Sequence, residues 1–243
     1  MADKILYAEM LPREFTAAIK KAPVAYLPLG TLEWHGPHLP LGSDGLQAAG
    51  LFERIAREAG GVVCPMLFVG PDRFMQGDKL TYYGMDVCTE SRSSRYENQK
   101  LPGSAYWVPR GTFFNLIDGI LAQLSRAGVK IVVAHGHGPS TLFVIHEREF
   151  FETAYSIKLL SCWEGYDGGD GFQSDHAAAN ETSIVLGLRP DLVDMSMLPS
   201  DPNEWPLAIG GRDPRLHASE AYGESILRLH TERMASIIKN LLV

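Results

Sequence analysis

Glu33, His35, His38 and Asp44 fall within one stretch, Leu27-Pro-Leu-Gly-Thr-Leu-Glu-Trp-His-Gly-Pro-His-Leu-Pro-Leu-Gly-Ser-Asp44. Carboxylates and imidazoles together are ligands suited to Zn²⁺ or Mn²⁺. Glu33 and His35 are two apart, so an extended segment points both to one side. Taken alone, such a stretch is most often a polar surface loop. A second cluster, Ala134-His135-Gly136-His137-Gly138-Pro139-Ser140, has glycines that let imidazoles approach a common centre. A third runs from Ser174-Asp175-His176 to Asn180-Glu181-Thr182-Ser183. His176 and Glu181 are five apart, so they converge only if His176 precedes the regular part of a helix. Together the three clusters hold the ligands of a two-metal hydrolytic site, in which one carboxylate bridges two ions and water is activated.

Something must carry these clusters to one place. Apolar runs predict strands at Val24–Leu29, Val62–Val69, Lys130–Ala134 and Ile157–Cys162. Helical spacing is expected over Leu11–Lys21, Leu46–Ala59, Thr112–Ala127, Ser140–Tyr155, Asp175–Leu188 with Asp175 near its cap, and Ser219–Leu242. Strands alternating with helices indicate a single α/β domain over residues 1–243, a mostly parallel sheet covered on both faces. In such sheets, sites form beyond the strand ends. The aperiodic, aromatic-rich segment Pro71–Pro109 is expected to be a functional loop or subunit arm.

A net charge of −7 without a basic run argues against nucleic acid or an anionic membrane as partner. The cysteines Cys64, Cys88 and Cys162 form no CxxC pair, and Cys64 and Cys162 read as buried thiols. No apolar run approaches the ~20 residues of a membrane span. With no signal-peptide pattern at the N-terminus, the expectation is a cytoplasmic protein.

LPLGTLEWHGPHLPLGSD, the glycine-flanked His137 of HGHG, DHAAANETS with the following PDLVDM, and GGRDPRLHASEAYGESI occur in an order that resembles the creatininase (creatinine amidohydrolase) family. The resemblance covers most of the chain outside Pro71–Leu101. It implies a creatininase-like three-layer α/β/α sandwich, often hexameric, and metal-dependent hydrolysis of small cyclic amides, formamides or related rings. It places Glu33, His35, Asp44, His137 and Glu181 on ligands of two divalent ions, Zn²⁺ and/or Mn²⁺ with Fe²⁺ also compatible, and Asp44 on the bridge. His176 falls on a proton-shuttling position, with Asp175 beside it to orient or charge-tune it. Trp34, Tyr166 and Phe172 are read as substrate-binding aromatics, with Trp163 beside them as a pocket or core residue, and His38 and His135 as supports for ligand carboxylates or structural histidines.

Two departures matter. Pro139 stands where creatininase carries a carboxylate ligand, so creatinine itself does not carry over as substrate and Glu181 gains weight. His135 stands where the family often has Asn. Two other functions fit the same ligands. One is hydrolysis of a C–C bond in a cyclic polyol ketone (the 3-dehydro-scyllo-inosose hydrolase type), with Arg73, Gln76, Tyr82 and Tyr83 meeting hydroxyls. The other is a non-catalytic metal-binding structural protein.

Overall fold

A computed structural model describes residues 4–88, 96–166 and 170–242. Residues 89–95 of the long aperiodic segment and residues 167–169 lie outside the described residues. Pro12–Lys21 forms α1; Pro12 opens it, and Glu14 accepts from the Leu11 N–H at 2.7 Å. Val24–Leu29 is β1, buried at every position. Then follow α2 (Ser43–Ala59), β2 (Val62–Val63), a hairpin of β3 (Phe74–Gln76) and β4 (Thr81–Tyr83), α3 (Arg110–Arg126) and β5 (Ile131–Gly136). After them come α4 (Gly138–His146), α5 (Arg148–Tyr155), β6 (Lys158–Leu160), α6 (Ala179–Leu188), α7 (Pro214–His217) and α8 (Glu220–Leu241).

The main sheet is parallel throughout, in the order β2-β1-β5-β6. Side chains alternate across it, as the strand period of two requires. Val24, Tyr26, Ile131 and Val133 face a core with Phe52, Ile184, Leu227 and Ile238, from α2, α6 and α8. Ala25, Leu27, Val132 and Ala134 face the opposite core, with Ile19, Phe113, Phe143 and Phe151 from α1, α3, α4 and α5. This is the expected three-layer arrangement. Each fully buried Leu, Ile or Phe here is worth about 1.5–3 kcal/mol over its exposed state.

Three boundaries differ from expectation. The strand predicted over Val62–Val69 ends at Val63, and pairing returns only as a bridge between Leu29 and Leu67. Pro28 has no N–H to give the ladder there, and Cys64 and Leu67, the successive donors to β1, stand three residues apart where a regular ladder steps by two. The helix predicted over Ser140–Tyr155 is two helices, turning at Glu147. The helix predicted from Asp175 begins at Ala179. No helix among the described residues is long and apolar enough to cross a membrane. Cys64 and Cys162 are buried free thiols.

Candidate metal centre

Because β1 and β5 run parallel in register, with Leu29 opposite Gly136, the residues that follow both strands leave the sheet at one edge. Gly136 is required there. It has φ of 146°, and a Cβ on it would lie 1.7 Å from the Leu29 carbonyl oxygen. The His137 N–H donates to that same oxygen at 2.8 Å. The loop after β1 supplies Glu33 and His35, the first turn of α2 supplies Asp44, and the first turn of α6 supplies Glu181. Glu33, His35, Asp44, His137 and Glu181 are all buried.

Their donor atoms converge in overlapping groups. Glu33, Asp44 and His137 form one triad, and His35, Asp44 and Glu181 another, with the donor atoms of each triad within 4.8 Å of one another. Asp44 belongs to both, the position a bridging carboxylate needs. The His35 Nε2 lies 3.3 Å from Asp44 Oδ1 and 3.7 Å from Glu181 Oε2. Its Nδ1 is 3.1 Å from the Glu33 carbonyl, which can only accept, so Nδ1 carries the hydrogen and Nε2 is left toward the carboxylates. The His137 Nδ1 meets Ser140 Oγ at 3.0 Å, and its Nε2 faces Glu33 Oε2 at 3.7 Å.

Charge follows from this crowding. Burial lifts Glu33 to about 7, and nearby Asp72 and Asp44 push the same way against the histidines. Burial likewise holds Glu181 well above the usual carboxylate range. Burial opposes charge on His35, yet Asp44, then Glu181 and Glu33, carry it to about 10. Asp44, in turn, is held below its usual range, His35 outweighing its burial. A site that must hold protons among buried acids is one where divalent cations can take their place.

His176 lines the cavity beside this centre, its ring 4.5 Å from that of His35. Its Nε2 donates to the Trp34 carbonyl at 2.9 Å, which fixes the ring beside the centre. Its backbone pairs with Gly210 in both directions at 2.9 Å, and Ala177 beside it has φ of 53°. A left-handed alanine is strained, and here the strain lies next to the proton-carrying candidate. Asp175 lines the same cavity. Its two oxygens accept the Asn180 and Glu181 N–H groups at 2.7 and 3.1 Å, capping α6 at the residue that presents Glu181.

The aromatic expectations fare less well. Phe172 is fully buried among core side chains, and Tyr166 packs on His230 and Arg233. The Trp34 ring donates to the Leu207 carbonyl and packs in a small side cluster, so only its backbone serves the site. None of the three lines the cavity of about 560 Å³; Trp163 does, with Arg73, Met85 and Gln173. His135 packs against Trp163 and Phe172, neither ring nitrogen has a hydrogen-bond partner in the structure, and burial takes it to about 3, so it supports no ligand carboxylate. His38 contacts Thr182 Oγ1 at 2.9 Å, next to Glu181. Of the extended segment's polar residues, Arg73 reaches the cavity, whereas Gln76 bonds to Gly77 and Thr81, and Tyr83 stacks on Trp107. Sequence reasoning missed Asp72, whose Oδ2 lies 3.3 Å from His137 Nε2.

A model of the creatininase family, described as creatinine amidohydrolase, matches residues 8–238. The chain belongs to the creatininase family. Among curated family proteins, it is 24% identical to creatinine amidohydrolase of Pseudomonas putida, over 98% of each chain. It is 28% identical to the mycofactocin precursor peptide peptidase of Mycolicibacterium smegmatis, over 70% of this chain and 59% of that protein. A crystal structure of creatininase matches with a TM-score of 0.74 at 22% identity, covering 97% of both chains. Solved creatininases of the same fold include a manganese form and a Zn-Zn form, each with a TM-score of 0.73, 22% identity and 98% of both chains covered.

Proposed function

We propose that this family member is a metal-dependent hydrolase that opens a C–N bond in a small cyclic amide or a formamide. The observation that carries the reading is Asp44, shared between two buried carboxylate–histidine triads. The residues fit two divalent ions. His35 turns its Nε2 toward Asp44 and Glu181, the carboxylates outnumber the cations they face, and relatives of the same fold carry Mn or a zinc pair. Two divalent ions at such a centre polarise a carbonyl and activate water near neutral pH.

Glu33 and His137 would hold one ion, His35 and Glu181 the other, and Asp44 both. Asp175 fixes the helix end from which Glu181 reaches in. The cavity of about 560 Å³ admits a small ring. His176, its ring held by the Trp34 carbonyl, carries a proton to the departing nitrogen.

Zinc- and manganese-loaded protein should therefore hydrolyse members of a panel of cyclic amides and formamides, measured by product amine or acid. Turnover of oxidised inositols alone would replace this reading with C–C bond hydrolysis. Tight binding of one fully enclosed ion, with no turnover, would indicate a structural role.

A further inference from the structure

We propose that Asp72 is a direct ligand of the ion held by Glu33 and His137, supplied by the extended segment between the second and third sheet strands. The inference rests on the two-ion reading above and adds a residue to it. The base of the segment is pinned to the sheet edge. The Gly70 carbonyl accepts from Val108 N–H at 3.1 Å, and a Cβ on Gly70 would sit 2.2 Å from Ser140 Oγ. Two residues on, the Asp72 side chain is 7% exposed and faces His137. Gly84, which the segment brings back over the site, has φ of 53°, and a Cβ there would touch both Glu33 Oε1 and Asp72 Oδ2, at 2.6 and 2.7 Å.

Asp72 has two oxygens in different employment. Oδ1 accepts the Arg73 N–H at 2.6 Å, so the carboxylate is oriented by its own backbone. Oδ2 faces His137 Nε2 at 3.3 Å, and Glu33 Oε2 faces the same nitrogen at 3.7 Å. A charge-assisted N–H···O bond would be ~2.7–2.9 Å, and one N–H cannot serve two carboxylates well. Donors ~2.0–2.2 Å from a tetrahedral ion, by contrast, stand roughly 3.4 Å apart. His35 keeps the same spacings, 3.3 Å to Asp44 and 3.7 Å to Glu181. With Nδ1 engaged by Ser140, Nε2 is the nitrogen His137 has for an ion, and Asp72 shares its target. The rival role, in which Asp72 takes the Nε2 hydrogen, would remove His137 from the ligand set altogether.

Two variants test this. Asp72→Asn keeps the Arg73 contact and removes the charge. Equilibrium dialysis with Zn²⁺ or Mn²⁺ should show one of two sites weakened by at least ~100-fold, since even partners outside the ligand shell are worth ~10–100-fold. The other site should be unchanged. Asp72→Cys loaded with Co²⁺ should gain a thiolate-to-cobalt charge-transfer band that the wild-type protein lacks, a signal that requires direct ligation. Two ions bound with wild-type affinities in Asp72→Asn, or no such band in folded Asp72→Cys, would overturn the assignment while leaving the two-ion reading intact. Wild-type protein that binds no ions would overturn both.

Discussion

The two halves of the centre are close copies in distance and unlike in construction. Around His35, Nε2 stands 3.3 and 3.7 Å from Asp44 and Glu181; around His137, it stands 3.3 and 3.7 Å from Asp72 and Glu33. The His35 half is wired by backbone. A carbonyl fixes the ring, the Ala177 N–H holds Glu181 at 2.7 Å, and Asp175 caps the helix. The His137 half is wired by a hydroxyl, Ser140 Oγ, which can donate or accept, and by a segment that arrives from far along the chain. Spacing can thus be reproduced while rigidity is not. The backbone-held half is expected to be preorganised, and the other to settle as its ion binds.

The largest expected effect joins the halves. Asp44→Asn should cost both ions, each affinity falling at least ~100-fold by dialysis and metal analysis. Loss of one ion alone would mean the halves do not share it. Next comes His176→Ala, which should lower kcat by about 10²–10⁴ while both ions stay bound. Metal loss there would make His176 part of the His35 half's ligand set.

A pH series separates ion-free from loaded protein. Glu33 sits at about 7 against an ordinary 4.5, and His35 at about 10 against 6.5. A folded-state pKa above the unfolded one gives stability that is full below the unfolded value and lost as pH rises through the folded value. The Tm of ion-free protein should therefore fall between about pH 4.5 and about pH 10, and ion binding should counter the fall by displacing the protons. A flat ion-free profile would mean these groups are not charged as described. The smallest effect should come from Ser140→Ala, which should weaken one site ~10-fold and leave the other alone. Equal weakening of both would erase the contrast between the halves.

The same contrast explains what was legible in the sequence. Glu33, His35 and Asp44 lie in one contiguous motif, and parallel strands predict that His137 joins them. Glu181 and His176 needed a helix that starts late, and the capping by Asp175 supplies it. Asp72 gave no signal because a lone acid in an aperiodic segment acquires its position only from the tertiary approach of Gly70 to Ser140. Phe172, Tyr166 and Trp34 were misplaced for a related reason. An aromatic near a loop serves pocket or core equally well by pattern, and burial decided for the core and its margins. The strand over Val62–Val69 failed because hydrophobic pattern outlasts hydrogen bonding where the donors to β1 lose their two-residue step.

Gly136 has a consequence for anyone wishing to redesign this protein. Because no side chain fits between the two central strands at that point, the distance from His137 to the β1 loop is dictated by main-chain geometry, which mutation elsewhere hardly alters. New specificities would be best sought by exchanging the overhanging segment while keeping the strand junction, as one changes a tool's bit without touching its chuck.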